Sequence, residues 1–286
     1  MPYALCFINN KFLDYSEARL HISDLGLQRG YSIFDYFLEV EGRIPFFDDY
    51  LDRFYNSAKL LNLEIPLTRD VLKEKIAYLL QQNNFGTSGI KLLLTGGYSE
   101  DLYSPATPNF MILNIELKRG LGDKGKGGRG EEEKRGSGEE GKLVLLDYQR
   151  HIPEVKTTFY LPSIALFPKM KEYGAIEVLY HHNGLISETT RANFFMIKNG
   201  TLITAADGVL KGITRKYVIQ VSKGFMPVEE REVKLEELWT CDEAFITGTS
   251  KHVLPIVEVE GRLIGEGRPG KHTRAISEAF ERFFAI

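Results

Sequence analysis

The chain has 286 residues, 43% of them aliphatic or aromatic, enough to fill one large domain or two ordinary ones without metals or disulfides. Thirty-six Lys and Arg against 39 Asp and Glu leave a formal charge of −3 and no persistent basic block, so the electrostatic footprint of a nucleic-acid binder is missing. Only two cysteines occur, Cys6 and Cys241, far apart and without metal-ligand spacing, which argues against a disulfide framework or a metal site and for a reducing cytoplasm. There is no apolar run of the roughly 18 residues that a membrane-spanning helix needs, and the first residues lack the pattern of a secretory signal.

In chain order, Tyr3 to Phe12 reads as a hairpin turning at Asn9-Asn10, because apolar runs flank a turn-prone pair. Ile33 to Val40 and Ile44 to Phe47, separated by Glu41-Gly42-Arg43, suggest a second hairpin. A helix is expected from Asp48, since Leu51, Phe54, Tyr55, Ala58 and Leu61 recur at helical spacing and two aspartates suit its start. Thr68 is placed to cap another helix over residues 69–82, and strands follow at Lys91 to Leu94 and Phe110 to Leu117. From Lys118 to Lys142 almost every residue is Gly, Lys, Arg, Glu, Asp or Ser. Such a stretch buries too little apolar area to offset the entropy of ordering it, so it reads as a flexible linker between domains 1–117 and 143–286.

Beyond it, a strand is expected at Leu143 to Tyr148 and a helix at Leu161 to Glu172, the latter complicated by Pro162 and Pro168. Strand pairs surround His182-Asn183-Gly184 and Asn199-Gly200, the second a strong hairpin signal. A helix near Thr214, strands at Ala244 to Thr247 and His252 to Val259, and a terminal helix from Lys271 complete a two-domain α+β chain.

Two phosphate-loop look-alikes fall in the linker. Gly120 to Gly125 matches G-x-G-x-x-G, but the charged, glycine-rich residues after it have no apolar stripe from which to build the helix that would bind pyrophosphate. Gly136 to Lys142 matches G-x-x-x-x-G-K, yet Leu143 stands where a magnesium-binding hydroxyl is required. Both read as coincidences of low complexity. A better anion site is Leu210-Lys-Gly-Ile-Thr-Arg215, where Gly212 precedes a helix start and Thr214 is placed to cap it. Thr247-Gly-Thr-Ser250 ends a strand with small hydroxyl residues. Lys156, Glu188 and Arg53, each taken alone, look like ordinary surface charges.

Taken together, these segments are similar to class IV aminotransferases, the group of branched-chain aminotransferases, D-amino acid aminotransferases and aminodeoxychorismate lyases. The resemblance covers nearly the whole chain outside the linker. It rests on RGYSIFDYFLEVEGRIPFFDDYLDRFYNSAKLL, on YGAIEVLYHHNGLISETTRANFFMIKNGTLIT followed by LKGITRKYVI, and on EAFITGTSKHVLPIVEVEGRLIGEGRPG.

By that resemblance, Lys156 carries pyridoxal 5'-phosphate as a Schiff base and moves the proton between the substrate α-carbon and cofactor C4′. Glu188 pairs with the pyridine nitrogen. Arg53, the Ile213 amide, Thr214, Thr249 and Ser250 hold the phosphate, and Tyr160 touches the ring hydroxyl. The substrate pocket departs from its relatives. Tyr36 and Leu38 stand where branched-chain enzymes have a small glycine and then a basic residue, Lys91 stands for their arginine, and Asp101 and Tyr103 replace the R-x-H pair of D-amino acid enzymes. The resemblance implies a homodimeric aminotransferase acting on an amino acid and a 2-oxo acid. A lyase releasing pyruvate is the alternative that Lys91 suggests, and a cofactor-free interaction module of the same fold is the remote one.

Overall fold

The computed structural model describes residues 4–117 and 140–284. The sequence expectations that fall on residues 118–139, including the Gly120 to Gly125 motif and most of the linker, lie outside them. The described residues divide into two compact units, one holding 4–117 with Val155–Phe159 and the other holding 140–154 with the chain from Tyr160 onward.

The first unit contains β1 (Leu5–Ile8), β2 (Lys11–Asp14), α1 (Leu25–Arg29), β3 (Ser32–Val40), α2 (Phe47–Leu60), α3 (Arg69–Asn83), β4 (Thr87–Thr95) and β5 (Asn109–Glu116). Its strands form an antiparallel sheet in the order β2-β1-β5-β4-β3. The first hairpin turns as expected, with Asn9 and Asn10 both at positive φ. The expected second hairpin does not form. Val40 meets Arg43 in a single bridge, and β3 instead pairs along its whole length with β4. Pro45, which has no N–H to continue a ladder, sends the chain into α2 two residues later.

Alternation along β3 gives the sheet two distinct faces. Ile33, Asp35 and Phe37 are buried toward α2, where Phe37 meets the rings of Phe47 and Tyr50, each at 5.3 Å. Phe34, Tyr36 and Leu38 are half-buried on the other face, with Lys91 beside Tyr36 in register.

The second unit contains β6 (Gly141–Asp147), α4 (Leu161–Ile164), α5 (Phe167–Tyr173), β7 (Glu177–His182), β8 (Leu185–Thr189), β9 (Asn193–Lys198), β10 (Thr201–Ala205) and α6 (Ile213–Ser222). It continues with β11 (Val228–Arg231), β12 (Val233–Lys234), α7 (Leu235–Leu238), β13 (Glu243–Gly248), β14 (His252–Val259), β15 (Arg262–Leu263) and α8 (Lys271–Phe284). The strands run β11-β10-β9-β13-β14-β6-β7-β8-β12, and an extra β8–β9 pairing joins Glu188 to Asn193. That one link closes β9-β13-β14-β6-β7-β8 into a small ring of strands, of the size whose interior side chains fill. Phe194, Met196, Ile246, Leu254 and Leu143 are among the residues that fill it, and α8 packs on β14 and α6.

Three further expectations change. Gly141 and Lys142 belong to β6 rather than to the linker, because β14 offers a parallel partner at Ile256 and Glu258. The single helix expected at Leu161 to Glu172 is two, since Pro168 lacks the amide that would bond back to Ile164; each proline sits in the first turn of its own helix. The sequence order puts Lys156 in the C-terminal domain, but Val155–Phe159 belongs to the first unit. The backbone explains it: Phe34 N–H donates to Lys156 O at 2.9 Å, Thr158 N–H to Ser32 O at 3.2 Å, and Ile33 bridges Thr157.

Candidate active site

In the first unit the lysine segment lies along the edge of β3. Ile33 opposite Thr157 puts Lys156 opposite Phe34, on the half-buried face of the sheet. Lys156 Nζ stands 4.6 Å from the Phe34 ring centroid and Lys91 Nζ 5.0 Å from the same centroid. Burial lowers the Lys91 pKa, since an ammonium loses hydration there. The Lys156 amide donates to Ser57 Oγ on α2 at 3.3 Å, which ties the segment to the helix as well as to the strand. Tyr36 lies over Gly89, where any Cβ would come within 2.2 Å of its hydroxyl. Lys156, Lys91, Tyr36 and Leu38 thus share one face.

Arg53 does not behave as an ordinary surface charge. It forms a bidentate pair with Asp35, Nη2 to Oδ1 at 2.6 Å and Nε to Oδ2 at 2.9 Å, with the carboxylate wholly buried. This fixes the guanidinium on the α2 side of the same strand. Tyr103 stands apart and highly exposed in a loop ordered by Asp101, whose carboxylate accepts from the Tyr103 and Ser104 amides and both the Ser99 and Ser104 hydroxyls. The Ser104 hydroxyl and amide, then the Tyr103 amide and Ser99, hold that carboxyl well below its usual range.

In the second unit Glu188 is 5% exposed and held from both sides. Arg150 Nε donates to Oε1 at 2.9 Å, the Leu210 amide to Oε2 at 3.0 Å and Asn193 Nδ2 to Oε2 at 3.4 Å. Arg150 also donates to Pro153 O, so the same side chain anchors the segment leading to Lys156. Tyr160 belongs to this group: burial raises its phenol pKa, opposed by Arg150 and reinforced by Glu177, Tyr180 and Glu188.

Register gathers the remaining candidates. Glu188 pairs with Asn193 and Asn193 with Thr247. The Thr190–Ala192 loop and the turn of Gly248, Thr249 and Ser250 therefore leave the same end of the ring. Asn193 Nδ2 also donates to Leu210 O at 2.7 Å, bringing the start of α6 to that end. The helix begins at Ile213 with Gly212 as its N-cap, so the expected capping by Thr214 does not occur; Thr214 lies buried inside the first turn. Gly212 is required, since a Cβ would come within 2.2 Å of Asn193 Oδ1.

These residues fit a phosphate monoester. Among the described residues no side chain caps α6, so its first amides and their dipole are suited to receive an anion. Thr247 Oγ1, on the strand leading into the Thr249 turn, is buried with no hydrogen-bond partner among the described residues. Among the described residues, no group of three or more His, Cys, Asp or Glu is arranged to hold a metal.

Sequence reasoning missed Arg150, Asn193, Asp35 and Phe34. Asn193 alone carried a local signal, standing beside the Phe194-Phe195 pair that marks the strand after Glu188.

The sequence model of amino-transferase class IV matches residues 32–259. A Methanocaldococcus jannaschii protein bearing the name of a branched-chain-amino-acid aminotransferase is 31% identical, over 96% of this chain and 94% of its own. A D-alanine aminotransferase of Staphylococcus haemolyticus is 27% identical, over 97% and 96%. Among solved structures, the T.th. branched-chain amino acid aminotransferase with pyridoxamine 5'-phosphate superposes with a TM-score of 0.86 at 24% identity, covering 99% of this chain and 94% of that one. The Escherichia coli branched-chain enzyme gives 0.84 at 24%, covering 99% and 94%. The fold, the uncapped helix start and the match along most of the chain converge: the chain belongs to the class IV aminotransferase family and is a pyridoxal-phosphate-dependent enzyme that moves an amino group between an amino acid and a 2-oxo acid.

Proposed function

We propose that the chain is a transaminase of branched-chain amino acids in which Lys156 attaches the cofactor and Glu188 pairs with its pyridine nitrogen. The observation that carries the reading is the setting of Glu188, a buried carboxylate fixed by the Arg150 guanidinium and the Leu210 amide. Bound pyridoxal phosphate supplies an aldehyde carbon that takes up the amino group and a ring that accepts the electron pair released with the α-proton. Glu188 holds a proton on the ring nitrogen. Lys156 Nζ receives the α-proton and returns it at C4′, a task that requires the neutral amine. Arg53, Ile213, Thr214, Thr249 and Ser250 hold the phosphate. Tyr160 keeps its phenol proton as a donor toward the ring oxygen.

The substrate side chain lies against Phe34, Tyr36 and Leu38, an apolar surface that suits a branched aliphatic group. Lys91 binds a carboxylate at its margin; Tyr103, in its separate exposed loop, is not part of that surface. The name of the 31% relative supports the same substrate class, while the D-alanine aminotransferases make D-alanine the donor to compare. We propose in addition a cytoplasmic homodimer, as expected from the prevalence of two-fold assemblies and from two cysteines that are both free and buried. No helix among the described residues is long and apolar enough to cross a membrane.

Borohydride reduction of the protein with pyridoxal phosphate tests the central assignment. Wild type should retain the cofactor covalently and Lys156→Ala should not; retention by the variant would overturn the role of Lys156. L-Leucine, L-valine and D-alanine, added singly, should then convert the visible cofactor band in the first two cases. A response to D-alanine alone would reverse the substrate reading, and pyruvate released without an added acceptor would move it to the lyase.

A further inference from the structure

Glu177 is a carboxylate that the mechanism above does not use. It opens β7, is 1% exposed, and its Oε1 accepts from Arg191 Nε and from Lys251 Nζ, each at 2.8 Å. The backbone amide of Arg191 donates to it as well. Burial pushes its carboxyl pKa up, against the pull of Lys251. Burying a carboxylate between two cations costs desolvation that an apolar contact of the same volume would avoid, so stability alone is a poor account of it.

The two cations identify what Glu177 holds. Arg191 lies three residues after Glu188 in the loop between β8 and β9, and Lys251 lies two residues after Thr249 in the turn between β13 and β14. These two turns leave the same end of the strand ring, yet β8 and β13 are not neighbours; β9 stands between them. A contact that spans both turns therefore adds a side-chain tie beyond the last ladder pair, Asn193 with Thr247, at their base. Two cations on one anion also leave this end with a net positive charge, favourable to a phosphate dianion nearby.

We propose that Glu177 is a positioning residue that, by holding Arg191 and Lys251, fixes the Thr249–Ser250 turn for its grip on the cofactor phosphate. The proposal rests on the reading that Thr249 binds that phosphate. It concerns the phosphate grip rather than the chemistry, so the ratio of affinities for pyridoxal phosphate and for pyridoxal, which lacks the phosphate, is the quantity that reports it.

Full-length apoprotein is titrated with each compound and binding is followed by absorbance. Glu177→Gln is nearly isosteric and removes the charge. It should weaken pyridoxal phosphate by about tenfold, the scale of a small misplacement of binding groups, while pyridoxal binding stays within about twofold. Lys251→Met should reproduce that loss, and adding it to Glu177→Gln should weaken binding little further, since both act through one contact. Lys251→Met also serves if Glu177→Gln fails to fold. Equal losses for both compounds, or full retention of the wild-type ratio in both variants, would overturn the proposal. Thr249→Ala separates it from the reading beneath: a wild-type ratio in that variant overturns the phosphate site itself, whereas a lowered ratio there with an unchanged one in the Glu177 and Lys251 variants overturns only the role of Glu177.

Discussion

Arg150 shows how much of the site rests on a side chain with no local signature. It lies six residues before Lys156 in DYQRHIPEVK, and nothing in that string marks it as more than a loop cation. In the fold it is the partner of Glu188, with only 16% of its side chain exposed. Removing one member of a buried pair strands the other charge, so Arg150→Met should lower unfolding stability by about 3 kcal/mol and weaken cofactor binding in parallel. Denaturant unfolding with and without pyridoxal phosphate measures both; a loss under about 0.5 kcal/mol, the usual range for surface substitutions, would mean the pair is solvated and orienting nothing. Tyr160 gives a test on the alkaline side. Burial raises its phenol above the ordinary value of 10.0, so above that pH the folded chain retains a proton that the unfolded chain releases. Its contribution is then fully present below pH 10 and is lost as pH rises past it. Tyr160→Phe should flatten the alkaline limb of the stability curve, and an unchanged limb would show that the phenol ionises in the folded protein as it does in water.

At the scale of elements, the legible parts are those whose ends carry their own chemistry. Thr68 caps α3 through its hydroxyl, which accepts from the Val71 amide at 3.4 Å, and Asn84 ends the helix in the left-handed region at φ 48°. Thr68→Ala should cost about 1 kcal/mol, and Asn84→Gly should be neutral or stabilising by up to about 1 kcal/mol, since glycine reaches that φ freely. Thermal melts should show a lower midpoint for Thr68→Ala and an equal or higher one for Asn84→Gly; an unchanged or raised midpoint for Thr68→Ala would mean that the long capping bond contributes nothing. The hairpins at Asn9-Asn10, Asn183-Gly184 and Asn199-Gly200 were readable for the same reason, with positive φ at each of these residues. The stretch after Arg43 was not, because local alternation cannot tell a hairpin arm from a bridge that ends at Pro45 while a distant β4 takes the pairing. Two- and five-residue elements such as β12, β15 and α1 leave too short a period to detect.

For the whole molecule, the α+β class was legible in the chain's order and spacing, and Lys156, Glu188 and Arg53 stood out only through the family resemblance; which unit carries the lysine was not legible. That depends on backbone bonds between Val155–Phe159 and β3, separated by more than a hundred residues, which no local pattern encodes. The result has a thermodynamic consequence. Lys156, Lys91 and Arg53 belong to one unit and Glu188, Ile213, Thr214 and Thr249 to the other. Bound cofactor stabilises the folded chain by mass action, by about 2.7 kcal/mol at a free concentration 100 times its dissociation constant. At roughly 2–4 °C per kcal/mol for domains of this size, the melting temperature should rise by about 5–10 °C. Lys156→Ala should keep only the share due to the phosphate and ring contacts, and Glu188→Gln only that due to the covalent link and phosphate. Each should therefore show a smaller rise than wild type, although the two substitutions fall in different units. A full rise in the Glu188 variant would mean that the second unit contributes nothing through the ring, and the pairing of Glu188 with the pyridine nitrogen would have to be abandoned.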